Sequence, residues 1–364
     1  MKILLLSDAN SIHTLRWAES LKKNSLDIIL FSLFAPNVKS AAKYKELEIK
    51  VISPNLRSKI KNLREPSIGK IKYILSLPLL VKTIRDFHPN IIHAHYASSY
   101  GVLAFISRFR PFILSVWGSD IYDFPSRSRL NKFLLKIIIK SANVVCSTSI
   151  AMKEIIKKEF SRNDIELVPF GVDTNFFKPD QKEKKNFLVG TIKSIEKHNG
   201  ISCLLDAAKI IICDMKEEID FMIVGDGSLK EEMIQKVDEL GLNEKISFKG
   251  FVQHDKIVDY FNRLSIFIAV SERESFGVSV IEAASCEIPS ITSNIGGLIE
   301  VNLHNKTGFV VNVDDAKDLA KNILKLYKDE KMRLKFGNFA RQRVLNEFNW
   351  EKNLQQMINI YKSL

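Results

Sequence analysis

Cysteine is scarce in this 364-residue chain, and each one stands alone. Cys146, Cys203, Cys213 and Cys286 lie in apolar or helical contexts and none pairs at metal-ligand spacing, which argues against a disulfide scaffold and predicts free thiols in a reducing cytosol. Long apolar runs are missing too. No stretch reaches the length that spans a bilayer, and the opening Met1–Ser7 is too short and wrongly flanked for a secretory signal. The first strand-to-helix turn lacks the glycine-rich dinucleotide fingerprint, which argues against a nicotinamide dehydrogenase. There is no Asp-x-Asp near a strand end and no His/Cys ligand cluster, so neither a required metal nor another cofactor is expected. Helix-turn-helix, zinc-finger and aromatic-basic stacking signatures are lacking, so nucleic acid is not an expected partner.

Acids are thin in the first half of the chain. Residues 1–180 carry 28 Lys+Arg against 15 Asp+Glu, while the remainder carries 26 against 27. A basic first half joined to a neutral second half implies different partners for the two. At 46% hydrophobic content the chain can bury two cores more naturally than one.

Short apolar runs are abundant, and they alternate with helical patterns. Lys2–Ser7, Asp27–Ser32, Ile49–Ile52, Ile91–Ala94, Phe112–Val116, Val144–Ser147 and Glu166–Pro169 read as strands, with a helix over Ile12–Lys23 after the turn Asp8-Ala9-Asn10-Ser11. The pattern breaks between Phe170 and Lys185, where Gly171, Pro179 and the charge run Gln181–Lys185 mark a boundary. It restarts with Phe187–Ile192, Phe221–Val224, Ile246–Phe248, Ile266–Ala269 and Ser290–Thr292, and ends in helices from about Ala316. Strands alternating with helices predict parallel sheets in an α/β layer structure.

One stretch organises the rest. Ile266–Val270 is an apolar run of the kind buried on both faces of a sheet. From Val278 onward the apolar residues recur at helical spacing, so Ser271–Gly277 is a strand-to-helix turn with Gly277 at its tightest point. In an open parallel sheet such a turn lies at the carboxyl edge, where ligands bind. The N–H groups of Val278 and Ser279 and the helix dipole favour an anion there. Glu274 and Glu282 flank this anion site with seven residues between them. A carboxylate suits such a place only if it accepts hydrogen bonds from hydroxyls, which sugar and ribose rings supply; the plain alternative is a solvated turn plus one helix-surface Glu.

Glu274-Ser275-Phe276-Gly277 running on to Glu282-Ala283 resembles the Glu–seven residues–Glu motif of the family-4 retaining glycosyltransferases (glycosyl transferases group 1), of the bacterial surface-polysaccharide type. The usual form has Gly where Ser275 stands. The resemblance extends over nearly the whole chain and is strongest from Leu167 to Val311; Pro169-Phe170-Gly171-Val172-Asp173 matches the family's linker. It implies the GT-B fold: two Rossmann-like α/β domains facing a central cleft, at 1–172 and 187–348, a linker at 173–186, and a closing segment 349–364 whose helix (about Trp350–Tyr361) crosses back to the first domain.

The family has Arg and Lys in the loop after the first strand of the second domain, and these map to Lys193 and Lys197, with His198 a competing match; on its own the loop reads equally as a surface charge cluster. Together with helix N–H groups the two cations would clamp a diphosphate. Gly225 sits in a second turn, Val224-Gly225-Asp226-Gly227-Ser228, whose glycines are as readily structural as ligand-contacting. Phe251 and Val252 resemble the segment that lines the nucleotide base. The resemblance places Phe276, Gly277, Val278, Ser279 and Glu282 on the donor side, with Glu282 on the ribose hydroxyls and Glu274 on the sugar hydroxyls. Asn10 and Ser11 fall on the acceptor or phosphate side. Many relatives carry His where Trp117 stands, which leaves His95 and Asp120 as first-domain catalytic candidates. Of His93 and His95, only one is expected to face the cleft.

Leu56–Arg85 carries eight cations and one acid among apolar residues, and reads either as an in-plane membrane contact or as a helix with a solvated basic face. The expectation is thus a metal-independent retaining transferase on the inner membrane face. It would move a hexose or N-acetylhexosamine from a UDP-linked sugar to a lipid-linked glycan acceptor in O-antigen, capsule or exopolysaccharide synthesis. Two rivals are a nucleotide-sugar 2-epimerase, whose acidic and His residues find no counterpart, and a nucleotide-sugar binder without turnover.

Overall fold

The computed structural model describes residues 1–56, 72–180 and 186–364. Arg57, Lys59, Lys61, Arg64 and Lys70 of the basic stretch, and the charge run 181–185, lie outside the described residues. The chain divides into two compact units, Met1–Val168 with Leu354–Leu364, and Pro169–Asn353.

Among the described residues of the first unit seven strands form one sheet: β1 (Lys2–Leu6), β2 (Asp27–Phe31), β3 (Lys50–Ile52), β4 (Ile91–His95), β5 (Phe112–Val116), β6 (Val144–Ser147) and β7 (Glu166–Leu167). Their order is β3-β2-β1-β4-β5-β6-β7, and every pairing is parallel. The central strands are apolar without alternation because both faces are covered: Ile3, Leu4, Leu5 and Leu6 are fully buried, as are Ile113, Leu114 and Val116. The chain runs leftward from β1 to β3 and rightward from β4 to β7, an order in which the general rule of right-handed crossovers puts helices on opposite faces. The helices Leu77–Phe87, Gly101–Ser107, Arg129–Ser141 and Ile150–Phe160 follow the rightward steps and pack side by side in one layer.

The second unit repeats the plan with six strands among its described residues: β8 (Leu188–Ile192), β9 (Asp220–Val224), β10 (Ile246–Gly250), β11 (Ile266–Ala269), β12 (Ser290–Ser293) and β13 (Gly308–Val311). The order is β10-β9-β8-β11-β12-β13, again all parallel. Val189, Ile223, Ile266 and Ile268 are at most 1% exposed and centre its core. The strand order reverses between β8 and β11, so the loops leaving those two strands diverge and leave a crevice at the carboxyl edge. In the first sheet the same reversal falls between β1 and β4.

Each unit is therefore a Rossmann-like doubly wound layer structure, the GT-B type of domain. The closing helix Trp350–Lys362 is continuous, and its residues from Leu354 onward belong to the first unit, where Leu354, Met357 and Tyr361 are each 1% exposed. No helix among the described residues is long and apolar enough to cross a membrane.

Candidate active site at a sheet switch point

The crevice of the second sheet gathers the residues singled out by the motif. Lys193 leaves β8 and Glu274 lies in the turn after β11, 81 positions apart in sequence. Lys193 Nζ donates to Glu274 Oε2 at 2.6 Å and to Ser271 Oγ at 2.7 Å. The side chains of the pair are 10% and 21% exposed, so it is neither a solvated surface bridge nor a sealed one. Ser271 is fully buried, and its carbonyl accepts from Ser293 Oγ at 2.5 Å. The cation is thus set by a carboxylate that is itself set by backbone: Ser275 N–H donates to Glu274 Oε1 at 3.2 Å, and Gly297 N–H to the Glu274 carbonyl, also at 3.2 Å.

Two close approaches hold this arrangement. Gly225 has φ 144°, and a Cβ there would stand 1.9 Å from the Lys193 carbonyl oxygen. Gly296 has φ 45°, and a Cβ there would stand 2.0 Å from the Glu274 carbonyl oxygen. Any side chain at either position would push away the loop that presents the cation or the carboxylate. Gly277, with φ 102°, opens the helix Val278–Ser285. That helix start has no side-chain cap, and Val278 and Ser279 lie in its first turn, whose N–H groups have no intrahelical acceptor. A strong anion acceptor is what such an end favours.

Glu282, one turn along the helix, is 13% exposed at its side chain, and its Oε1 is 3.9 Å from Nε2 of His254. His254 stacks on Phe176, with centroids 5.8 Å apart and planes at 13°. Phe251 exposes 76% of its surface, so a large apolar ring stands in solvent at the position expected to line a base. Val252 beside it is half-buried. Lys197 lies on the exposed side of its turn, whereas Lys193 is directed inward. The two expected cations therefore differ in surroundings, and only Lys193 meets Glu274. Phe276, expected on the donor side, is 2% exposed and its ring packs edge-on against Phe170 and Phe348 in the core. Ser271 and His254 carry no motif signal, since a lone Ser or His becomes informative only once the strands align.

The first-unit candidates sit at the other switch point. Alternation along the strand predicts that only one of His93 and His95 faces the cleft, but their rings lie together, 4.4 Å apart at 89°. Residues i and i+2 of a strand share a face, which is the physical reason. His93 Nδ1 is 2.6 Å from Tyr361 Oη and Nε2 is 2.7 Å from Ser115 Oγ; a neutral imidazole serves both in either tautomer. Burial pushes its pKa down to about 3. His95 Nδ1 is 3.1 Å from Ser7 Oγ, and its ring lies 4.5 Å from that of Trp117. Burial, then the neighbouring His93 and His13, hold His95 well below the usual imidazole range. Its Nε2 is buried and has no hydrogen-bond partner among the described residues.

Asp120, expected among the catalytic groups, is fully buried, and its carboxylate accepts from Ala97 N at 2.8 Å, Gly118 N at 2.9 Å and Trp117 N at 3.2 Å. Burial raises its pKa and these three N–H groups oppose the rise. That geometry ties the turn after β4 to the turn after β5, which is a positioning role. The Asn10 side chain is likewise engaged: Oδ1 accepts from Asn37 N at 2.8 Å and Nδ2 donates to the Ala35 carbonyl at 3.1 Å. Ser11 stands at the N-cap of helix Ile12–Lys23 without a side-chain cap bond.

Comparison with known proteins bears on the same residues. Residues 172–343 match the family "Glycosyl transferases group 1" and residues 2–149 match "Glycosyl transferase 4-like". The N-acetyl-alpha-D-glucosaminyl L-malate synthase of Bacillus anthracis is 27% identical over 290 residues, 75% of this chain and 74% of that protein. The capsular polysaccharide biosynthesis glycosyltransferase CapM of Staphylococcus aureus is 32% identical over 210 residues, 55% of this chain and 54% of its own length. The structure of Anabaena Alr3699/HepE in complex with UDP and glucose superposes with a TM-score of 0.81 at 20% identity, covering 100% of both chains. With one family model on each Rossmann-like unit and Lys193, Glu274 and Glu282 inside the matched second unit, the chain belongs to the group 1 and 4-like glycosyltransferases of the GT-B fold.

Proposed function

We propose that this glycosyltransferase moves a hexose or N-acetylhexosamine from a UDP-linked sugar to a lipid-linked glycan acceptor, with retention at the anomeric carbon and without a metal. The carrying observation is the Lys193–Glu274 pair at the switch point of the second sheet, 2.6 Å apart and mostly buried. A cation and a carboxylate side by side match the two ends of a nucleotide sugar's reacting portion, diphosphate and sugar hydroxyls. Lys193 and the first-turn N–H groups of Val278 and Ser279 meet the diphosphate, Glu274 accepts from sugar hydroxyls, Glu282 accepts from the ribose, and Phe251 and Val252 border the base.

In the transfer, the bond from the anomeric carbon to the diphosphate oxygen breaks, and a bond to the acceptor oxygen forms as that oxygen loses its proton to the leaving diphosphate. Negative charge builds on the leaving diphosphate, so preorganised positive groups lower the barrier directly. Retention and metal independence rest on the family motif. The UDP donor is supported by the Anabaena neighbour's bound UDP, and the glycan acceptor by the name of the S. aureus relative. Purified protein should release UDP from one member of a panel of UDP-sugars when a lipid-linked acceptor is added. Interconversion of the sugar without transfer would replace this reading with a 2-epimerase; binding of UDP-sugars with no turnover would replace it with a binding protein.

A further inference from the structure

We infer that the helix Arg129–Ser141 of the first unit is an in-plane docking surface for an anionic lipid bilayer. This inference is independent of the donor site. The helix follows β5 and begins at Ser128, whose Oγ accepts from Asn131 N at 3.1 Å. Its inward face is committed to the core, with Leu135, Ile138 and Ile139 fully buried.

The outward face is unusual for a soluble helix. Leu130 exposes 73% of its surface, Phe133 62% and Ile137 36%. At 3.6 residues per turn these three fall within about 60° of arc and form a single stripe. Lys140, Arg129, Lys136 and Lys132 continue round the helix on one flank of that stripe, and the 13-residue sequence contains no acid. Lys132 is paired with Glu159 of the neighbouring helix.

The chemistry selects the occupant. A protein partner that binds stably covers about 800 Å² per side, far more than three side chains on one convex helix present. A bilayer needs only shallow insertion of a few apolar groups, with cations at headgroup level beside them. The flanking row of lysine and arginine, without acids, suits anionic headgroups and repels nothing in them.

The test uses the whole protein and vesicles of phosphatidylcholine with or without phosphatidylglycerol, read by co-sedimentation. The protein should bind the anionic vesicles, ignore pure phosphatidylcholine, and dissociate as salt rises. Lys136→Gln with Lys140→Gln should weaken partitioning by about 25-fold, or about fivefold per cation. Leu130→Ser, Phe133→Ser and Ile137→Ser together should reduce binding to background, while the melting temperature and UDP release with a detergent-soluble acceptor stay unchanged. Undiminished vesicle binding by that triple variant overturns the inference, because the docking surface then lies elsewhere. Failure of the unaltered protein to bind anionic vesicles overturns it as well. So does a dimer in sedimentation velocity that the triple variant converts to a monomer, since the stripe would then be an interface between copies.

Discussion

Replacing Glu274 by Gln should push two measurable quantities in opposite directions: slower sugar transfer, tighter binding of UDP alone. Lys193 Nζ is held at 2.6 Å by Glu274 and at 2.7 Å by Ser271. At an effective dielectric of about 20, two unit charges at that separation attract by about 6 kcal/mol. Desolvation of a pair this buried offsets most of it, leaving about 1–2 kcal/mol net. A diphosphate that recruits Lys193 displaces that pairing and also approaches the Glu274 carboxylate. The amide keeps the shape and an acceptor oxygen while removing the charge, so UDP affinity should rise by about fivefold to thirtyfold. Turnover should fall by about 10²–10³-fold, because the sugar hydroxyls lose a charged acceptor whose effect grows in the transition state.

Calorimetry with UDP and a UDP-release assay at one ionic strength measure the two effects. Lys193→Met should lower both quantities, and its weakening of UDP binding should shrink as salt rises. A double substitution should recover part of the thermal stability that each single one loses, since it leaves no lone partly buried charge. If Glu274→Gln weakens UDP binding, the pair is not in competition with the diphosphate, and the assignment of Lys193 to the leaving group is wrong.

Three further outcomes follow from the geometry. Gly225→Ala should depress UDP binding and melting temperature together, because a Cβ 1.9 Å from the Lys193 carbonyl forces the cation's own loop to move; normal UDP affinity in a calorimeter would show that this loop does not set Lys193. Phe251→Ala should leave the melting temperature unchanged, the ring being 76% exposed, and weaken UDP binding severalfold; equal affinity would remove Phe251 from the site. Acid should destabilise the first unit through His93 and His95, whose folded pKa values lie below the unfolded value, near 3 for His93. The stability they contribute is full above about pH 6.5 and falls by about 1.4 kcal/mol per pH unit per imidazole below it. Melting at pH 5.5 should therefore run several degrees below melting at pH 7.5, and His93→Gln should flatten the slope; equal melting temperatures would mean that the imidazoles do not stay neutral.

How legible all this is in the sequence depends on what carries the signal. β5, β6 and β11 are readable residue by residue because strands buried on both faces are unbroken apolar runs. β13 escapes the same reading. It opens on Gly308, whose missing side chain lets the backbone lie against Ser290, where a Cβ would be 1.8 Å from the carbonyl oxygen; a strand chosen for close approach looks like a turn in one dimension. The acids at 274 and 282 are readable from spacing, since both belong to one turn and one helix. Ser271 and Lys193 meet only because β8 and β11 are adjacent, and strand order is a long-range property. Phe276 and Asp120 show the converse. Both are expected in the site, and their surroundings, a core packing for the Phe276 ring and three backbone N–H groups on the Asp120 carboxylate, are set by long-range folding that spacing does not show.

The two glycines beside the pair give a reason for the short distance. Lys193 is the first residue after β8 and Glu274 the fifth after β11, both in diverging loops, where backbone is ordinarily loosest. Gly225 packs against the carbonyl of one and Gly296 against the carbonyl of the other, so both loops are held backbone to backbone. Gly225 N–H is in turn bonded to the Gly250 carbonyl at 2.9 Å, and Gly297 N–H to the Glu274 carbonyl. A site built this way keeps its charges in place before any ligand arrives, which is the condition for electrostatic stabilisation without reorganisation at the moment of transfer. It also follows that substitutions at 225 and 296 cannot be rescued by side-chain repacking, because the atom in the way is main chain. Gly296→Ala should therefore impair UDP release as severely as loss of the carboxylate it positions, although no atom of Gly296 needs to touch the sugar. If Gly296→Ala turns over normally while folded, the turn after β11 has more freedom than these contacts allow, and the preorganisation argument falls.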